Sequence, residues 1–155
     1  MKFKLYDKNI NKQELSFIMT CLQITCGCCL VIGFFGNINL CYELGKDATE
    51  NYMWKILPEC ITLLIMALCS IFVMLIARNV RHNEVFTHNN AVFIMGIGTA
   101  ILMNGFILGL LPTFTPVERI GKGYMIYILI GALFLFIACV FKLGIKMKEE
   151  QELTI

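Results

Sequence analysis

The fold is decided by residues 78–111, which read RNVRHNEVFTHNN followed by AVFIMGIGTAILMNGFILGLL. The first part is polar and basic, whereas the second part, residues 91–111, holds 21 residues without a charge. About 20 apolar residues, at about 1.5 Å of rise per residue, span the roughly 30 Å hydrocarbon core of a lipid bilayer. This stretch therefore predicts a polar loop followed by a membrane-spanning helix.

The composition of the whole chain agrees with a membrane protein. Of its 155 residues 58% are hydrophobic and 15% are charged, and the mean hydropathy is +0.74. Soluble domains carry about 25% charged residues. The formal net charge of +2 is too small to indicate direct binding of nucleic acid. We expect one membrane domain over residues 1–155, surrounded by the lipid bilayer.

Three further apolar runs flank the central one. The sequence predicts helices at about 15–37, 56–77, 89–111 and 124–141, and a charged tail at 142–155. Pro58 falls in the first turn of the second helix, Thr87 is the expected N-cap of the third, and Pro112 is expected to end it. The fold class is thus all-α, a polytopic membrane protein, and short connections favour an up-down-up-down bundle of four helices.

The basic residues predict the orientation. Nine of the 13 Lys and Arg residues lie before residue 15, in the loop between the second and third helices, or in the tail. The other four lie in the two remaining loops. Because loops rich in Lys and Arg stay in the cytoplasm, we expect both termini there.

Two polar side chains interrupt the apolar runs. Glu59 lies near the start of the second helix and Asn104 lies deep in the third. A carboxylate within a membrane is a functional candidate, but a hydrated helix cap is the favoured role for Glu59. For Asn104, a hydrogen bond to another helix is favoured over contact with an ion or substrate.

Small residues recur four apart in the third helix and predict close helix packing. The pairs are Gly96 with Ala100 and Gly105 with Gly109. Residues four apart lie on one face of a helix, and small ones let a neighbouring backbone approach. Packing within the bundle is favoured over dimer formation, and a homo-oligomer is left open.

The cysteines and histidines give no convincing catalytic or metal site. Eight cysteines are present, and most fall in apolar runs, where structural thiols are favoured over disulfides. The CxxC spacing at 26–29 lies inside the first run, where a thiolate is costly. His82 and His88 lie in the loop and are interpreted as solvated. We expect no enzyme activity, no metal and no cofactor; a membrane thiol enzyme is the least favoured alternative.

Two motifs resemble a known family. The loop reads Val85-Phe86-Thr87-His88-Asn89-Asn90, and the tail reads Gly144, then a charged stretch from Lys146 to Glu152, then Leu153-Thr154-Ile155. Both resemble the bacterial membrane family known as domain of unknown function 2975. In that family Phe-Thr, two residues and Asn open the third helix, and the chain ends in a Gly, a short charged helix and an acidic-Leu-Thr-Ile sequence. Length and the four-helix layout agree as well.

The resemblance implies a function through a partner. Members of the family are often encoded beside a small helix-turn-helix DNA-binding regulator. The leading hypothesis is a non-enzymatic protein of the bacterial plasma membrane whose cytoplasmic loop and tail bind such a regulator. The candidate contacts are Phe86, Thr87, Asn90, Lys146, Glu149, Glu150, Leu153, Thr154 and Ile155. The alternative is a small oligomeric transporter or channel that uses Glu59 and Asn104.

Overall fold

The computed structural model describes residues 8–46, 52–82, 85–115 and 123–152, with side chains from residue 14 to residue 150. These residues form four α-helices: α1 (Lys8–Lys46), α2 (Tyr52–Arg81), α3 (His88–Phe114) and α4 (Tyr124–Glu152). Each is long and apolar enough to cross a membrane. The all-helical class and the four candidate membrane spans are therefore confirmed.

The helices extend beyond the apolar runs that predicted them. Helix α1 begins at Lys8 and ends at Lys46, and α4 continues to Glu152. Backbone hydrogen bonding continues through polar sequence that forms helix well, such as the Lys- and Glu-rich end of α4. There Lys146 and Glu150 form an ion pair of 3.8 Å, four residues apart, which favours the helix slightly.

The predicted positions of both prolines relative to the helix ends were wrong by a few residues. Helix α2 begins at Tyr52, so Pro58 lies inside the helix rather than in its first turn. Helix α3 continues past Pro112 to Phe114, so Pro112 does not end it. A proline inside a helix removes one backbone N–H donor, so α2 lacks one intrahelical hydrogen bond at Pro58 and α3 lacks one at Pro112.

The helices pack in chain order. Contacts join α1 with α2, α2 with α3, and α3 with α4, and within the described residues none joins α1 with α4. The four-helix arrangement is thus open between its first and last members. Of the four apolar spans, 39% of α3 is buried, against 11% or less of each other span. Helix α3 is therefore the centre of the molecule, and α1 is attached through α2 alone.

Glycines bring the backbones of α3 and α4 close together. A Cβ atom added at Gly131 of α4 would lie 2.7 Å from both the Cβ and the backbone N of Leu102. One added at Gly105 of α3 would lie 2.9 Å from the backbone N of Ile128, and one at Gly98 would lie 3.0 Å from the backbone N of Leu135. Helices can approach this closely only where side chains are absent.

The small residues singled out in the sequence divide between two neighbours. Gly105 and Gly109 lie against α4, at Ile128 and Tyr124. Gly96 instead lies against the ring of Phe72 in α2, and Ala100 is half-buried. Gly98 and Gly131 were not singled out from the sequence, because neither has a second small residue four positions away in its own helix.

We expect Gly131→Ala to lower the free energy of unfolding by about 1–3 kcal/mol, because the added methyl group forces two backbones apart. Gly27→Ala is the matched control, since a Cβ atom there meets nothing within 4 Å. It should leave the stability unchanged or raise it slightly, because alanine favours the helix. Thermal unfolding in detergent micelles measures both variants. Equal stability of the two would contradict the described α3–α4 contact.

Candidate functional site

The loop motif and the start of the tail meet in the structure. The ring of Phe86 packs on that of Phe141, with centroids 5.4 Å apart. It also lies against Gly144, where an added Cβ atom would be 3.1 Å from the Phe86 ring. We call Phe86, Phe141 and Gly144 the loop–tail junction. It fixes the loop between α2 and α3 to the C-terminal part of α4.

Thr87 ends the loop by capping α3. Its backbone is extended, with φ −120° and ψ 151°, and its hydroxyl accepts a hydrogen bond of 3.4 Å from the backbone N–H of Asn90. An N-cap satisfies one of the N–H groups that have no partner within the helix. The N-cap predicted from the sequence is confirmed, and it fixes the position of Phe86 next to it in the chain.

Asn90 connects the loop to two helices. Its side chain is 0% exposed. The amide donates a hydrogen bond of 2.8 Å to the backbone carbonyl of Val85, and the amide oxygen accepts one of 2.7 Å from the side chain of Asn79 in α2. A buried amide is stable only when such bonds satisfy it. Asn90 therefore holds the loop from within, which corrects its assignment as a direct contact for a partner.

The end of α4 extends past this junction. Gly144 is level with Phe86 in the loop, so residues 145–152 run on beyond the ends of α2 and α3. Lys146, Glu149 and Glu150 are exposed there, and their role as partner contacts stays a prediction. Leu153, Thr154 and Ile155 lie outside the described residues.

Two apolar side chains on this part of α4 were missed by the sequence analysis. Leu143 is 61% exposed and Met147 is 56% exposed. They are four residues apart and so lie on the same face of the helix. Phe86, which is 49% exposed, adds a third accessible apolar group at the same end of the molecule. The signal in the sequence was an apolar pair with helical spacing within a charged tail.

Asn104 lies between α2 and α3. It is 1% exposed, and its amide nitrogen is 3.5 Å from the hydroxyl of Thr62. That hydroxyl itself donates to the backbone carbonyl of Pro58, at 2.8 Å. The amide oxygen is buried and has no hydrogen-bond partner among the described residues. Glu59 is exposed, and no hydrogen bond in the described part of the chain joins it to Asn104.

The cysteines and histidines are dispersed. All eight cysteines are free thiols. Cys26 is buried, whereas Cys28, two residues later in α1, is exposed. His82 and His88 are both exposed. Among the described residues, no three His, Cys, Asp or Glu side chains come together as a metal site would require.

Comparison with known proteins matches part of the chain to one family. A family model described as "Protein of unknown function (DUF2975)" matches residues 42–155. This range contains α2, α3, α4 and only the last residues of α1, so it includes every residue of the loop–tail junction. The resemblance predicted from the loop and tail motifs is confirmed. No curated protein and no solved structure matches the chain.

We expect Asn90→Ala to lower the free energy of unfolding by about 1–3 kcal/mol, because it leaves Asn79 and the Val85 carbonyl without their buried partner. The neighbouring Asn89 is exposed, so Asn89→Ala is a matched control that should change stability by no more than about 0.5 kcal/mol. Thermal unfolding in detergent, with limited proteolysis of the loop, measures both. Similar losses in the two variants would refute the bridging role of Asn90.

Proposed function

The chain belongs to the DUF2975 family of proteins of unknown function, and we propose that it is a non-enzymatic membrane protein that binds a soluble cytoplasmic regulator. The loop–tail junction is the observation that carries the proposal. It holds an exposed, charged segment of helix in a fixed place beyond the apolar part of the molecule. A helix held in advance loses less conformational entropy on binding than a free tail does.

The exposed face of this helix has the chemistry of a binding surface. Leu143 and Met147 form an apolar stripe, and the ion-paired side chains of Lys146 and Glu150 lie beside it. Amphipathic helices bind grooves through apolar residues three or four apart, and the surrounding charges select the partner. A small folded protein with an apolar groove and charges of both signs would fit this face.

The partner that we propose is a small helix-turn-helix regulator, which the family resemblance suggests. The membrane protein would bind the regulator and hold it away from DNA, or release it in response to a signal. No nucleic-acid contact by the membrane protein is required. The transport alternative remains a prediction, and it is less favoured because Glu59 is exposed while the Asn104 amide faces Thr62.

The proposal requires the loop and the end of α4 to face the cytoplasm. Two observations support a bundle that crosses the membrane up, down, up and down with both termini inside. Most Lys and Arg residues belong to the N-terminal segment, to the loop between α2 and α3 or to the tail. Contacting pairs also run in opposite directions along α1 and α2, where Gly33 meets Ala67 and Thr20 meets Arg81. The same order holds for α2 with α3, through Asn79–Asn90 and Thr62–Asn104, and for α3 with α4, through Gly98–Leu135 and Gly109–Tyr124. The plasma membrane of a bacterium is the proposed location.

The orientation predicts the behaviour of fusion proteins. Green fluorescent protein joined after Ile155 should fluoresce, and alkaline phosphatase joined there should be inactive, because the first folds in the bacterial cytoplasm and the second needs disulfides formed outside it. The same two reporters inserted after Ala48, in the loop between α1 and α2, should give the reverse result. Active phosphatase at the C-terminus would refute the orientation and with it the proposed function.

The binding proposal is tested by photo-crosslinking in growing cells. A photoreactive phenylalanine analogue in place of Met147 should capture a small DNA-binding protein, identified by mass spectrometry. The matched control is the same analogue in place of Met125, an equally exposed methionine at the other end of α4, which should not capture it. With the membrane protein and the captured protein both purified, the double substitution Leu143→Ala and Met147→Ala should raise the dissociation constant by about tenfold or more, because apolar anchors carry much of the affinity. Equal capture at the two positions, or unchanged affinity, would contradict the proposal.

A further inference from the structure

Cys41 and Cys60 lie toward the ends of α1 and α2 that are remote from the loop–tail junction. Helix contacts bracket them on both sides. Gly36 lies against Leu63 on one side, and Glu43 meets the hydroxyl of Tyr52 at 3.4 Å on the other. Cys41 falls between Gly36 and Glu43 in α1, and Cys60 falls between Tyr52 and Leu63 in α2. The two antiparallel helices therefore bring Cys41 and Cys60 to within about one helical turn of the same level.

Helices α1 and α2 approach each other closely beside this part of the molecule. A Cβ atom at Gly36 would lie 2.9 Å from the Leu63 side chain, and one at Gly33 would lie 3.1 Å from the Leu63 carbonyl. Cys41 lines a groove of about 640 Å³ together with Leu64, and Cys60 is one helical turn from Leu64 on the same face.

The position of this pair in the membrane separates it from the other cysteines. Tyr52 and Trp54, residues that favour the membrane–water interface, precede Cys60 by about two helical turns. Cys29 and Cys69 also belong to facing parts of α1 and α2, but they lie in the middle of the apolar spans. Thiol–disulfide exchange needs a thiolate, and a thiolate in hydrocarbon is costly. Of these two pairs, the outer pair lies closer to water and is therefore the one that a soluble oxidant can reach.

We propose that Cys41 and Cys60 form a disulfide that joins α1 to α2 on the outer side of the membrane. The inference goes beyond the proposed function, although it rests on the same orientation. In the structure both residues are thiols, with Cys41 exposed and Cys60 half-buried. The bond would secure α1, which within the described residues contacts no helix but α2.

The oxidant is a disulfide-bearing thiol oxidoreductase of the compartment outside the membrane. The exposed thiol of Cys41 loses its proton, and the thiolate attacks one sulfur of the oxidoreductase disulfide and displaces the other as a thiolate. Cys60, deprotonated in turn, attacks the Cys41 sulfur of the mixed disulfide and releases the oxidoreductase. The Cys41–Cys60 pair has then lost two electrons and two protons, and the oxidoreductase leaves as a dithiol.

The experiment compares two variants in growing cells. One retains only Cys41 and Cys60, the other retains only Cys29 and Cys69, and the remaining cysteines are alanine in both. Cells are quenched in acid and free thiols are blocked with N-ethylmaleimide in detergent. The samples are then reduced and labelled with a polyethylene glycol maleimide, which retards the chain once for each thiol released. Non-reduced samples, run alongside, separate a bond within one chain from a bond between two.

The outer pair should gain two labels per chain while the inner pair gains none, and non-reduced samples should run as monomers. In the native chain, mass spectrometry of a non-reduced digest should find the peptides of Cys41 and Cys60 joined, which keeps the test valid if a variant fails to fold. Complete blocking of Cys41 and Cys60 before reduction, or a disulfide between two chains, overturns the proposal.

The oxidant diamide, applied to isolated membranes, then shows which premise of the proposal failed. Bond formation would mean that the compartment is reducing and the orientation wrong, whereas no bond would mean that the two thiols do not meet and would leave the cytoplasmic binding proposal standing.

Discussion

The structure depends on the close approach of α3 to α4. Lipid provides no hydrophobic driving force for apolar helices to associate, so they associate through close van der Waals packing. Gly98, Gly105 and Gly131 remove the side chains that would keep these two backbones apart. Helix α3 is consequently the most buried of the four, with α2 and α4 packed against it. The position of α4, and of everything attached to it, follows from this contact.

The loop–tail junction transfers that positioning to the part of the molecule that faces water in our proposal. Phe86 occupies the space that Gly144 leaves beside Phe141, and Thr87 and Asn90 hold the loop that carries Phe86. The loop motif and the glycine of the tail, which are far apart in the sequence, are thus parts of one contact. This gives a structural reason for both motifs of the family resemblance. It also separates residues that build the surface, such as Asn90, from those that form it, such as Met147.

The helices differ in how firmly they are held. Side-chain hydrogen bonds and an aromatic pair connect α2, α3 and α4 at the loop–tail end. Helix α1 is held by α2 alone, through Gly33 and Gly36 and the contact of Glu43 with Tyr52. An open arrangement of this kind has an unsupported first helix, and the disulfide that we propose would compensate for it. The family match begins at residue 42, so most of α1 lies outside the region that the family shares.

The sequence by itself determined the helical class, the four spans and the family, because a bilayer of fixed thickness demands long apolar runs and each run is a local property of the chain. It also determined the N-cap at Thr87, since capping depends on residues within one turn. Only the tertiary structure decided that Asn90 is buried, that Gly98 and Gly131 belong with the α3–α4 contact, and that Phe86 meets Gly144. Each of these facts depends on which helix faces which and at what level. Spacing within one helix shows which residues share a face, but it does not show the neighbour that the face meets.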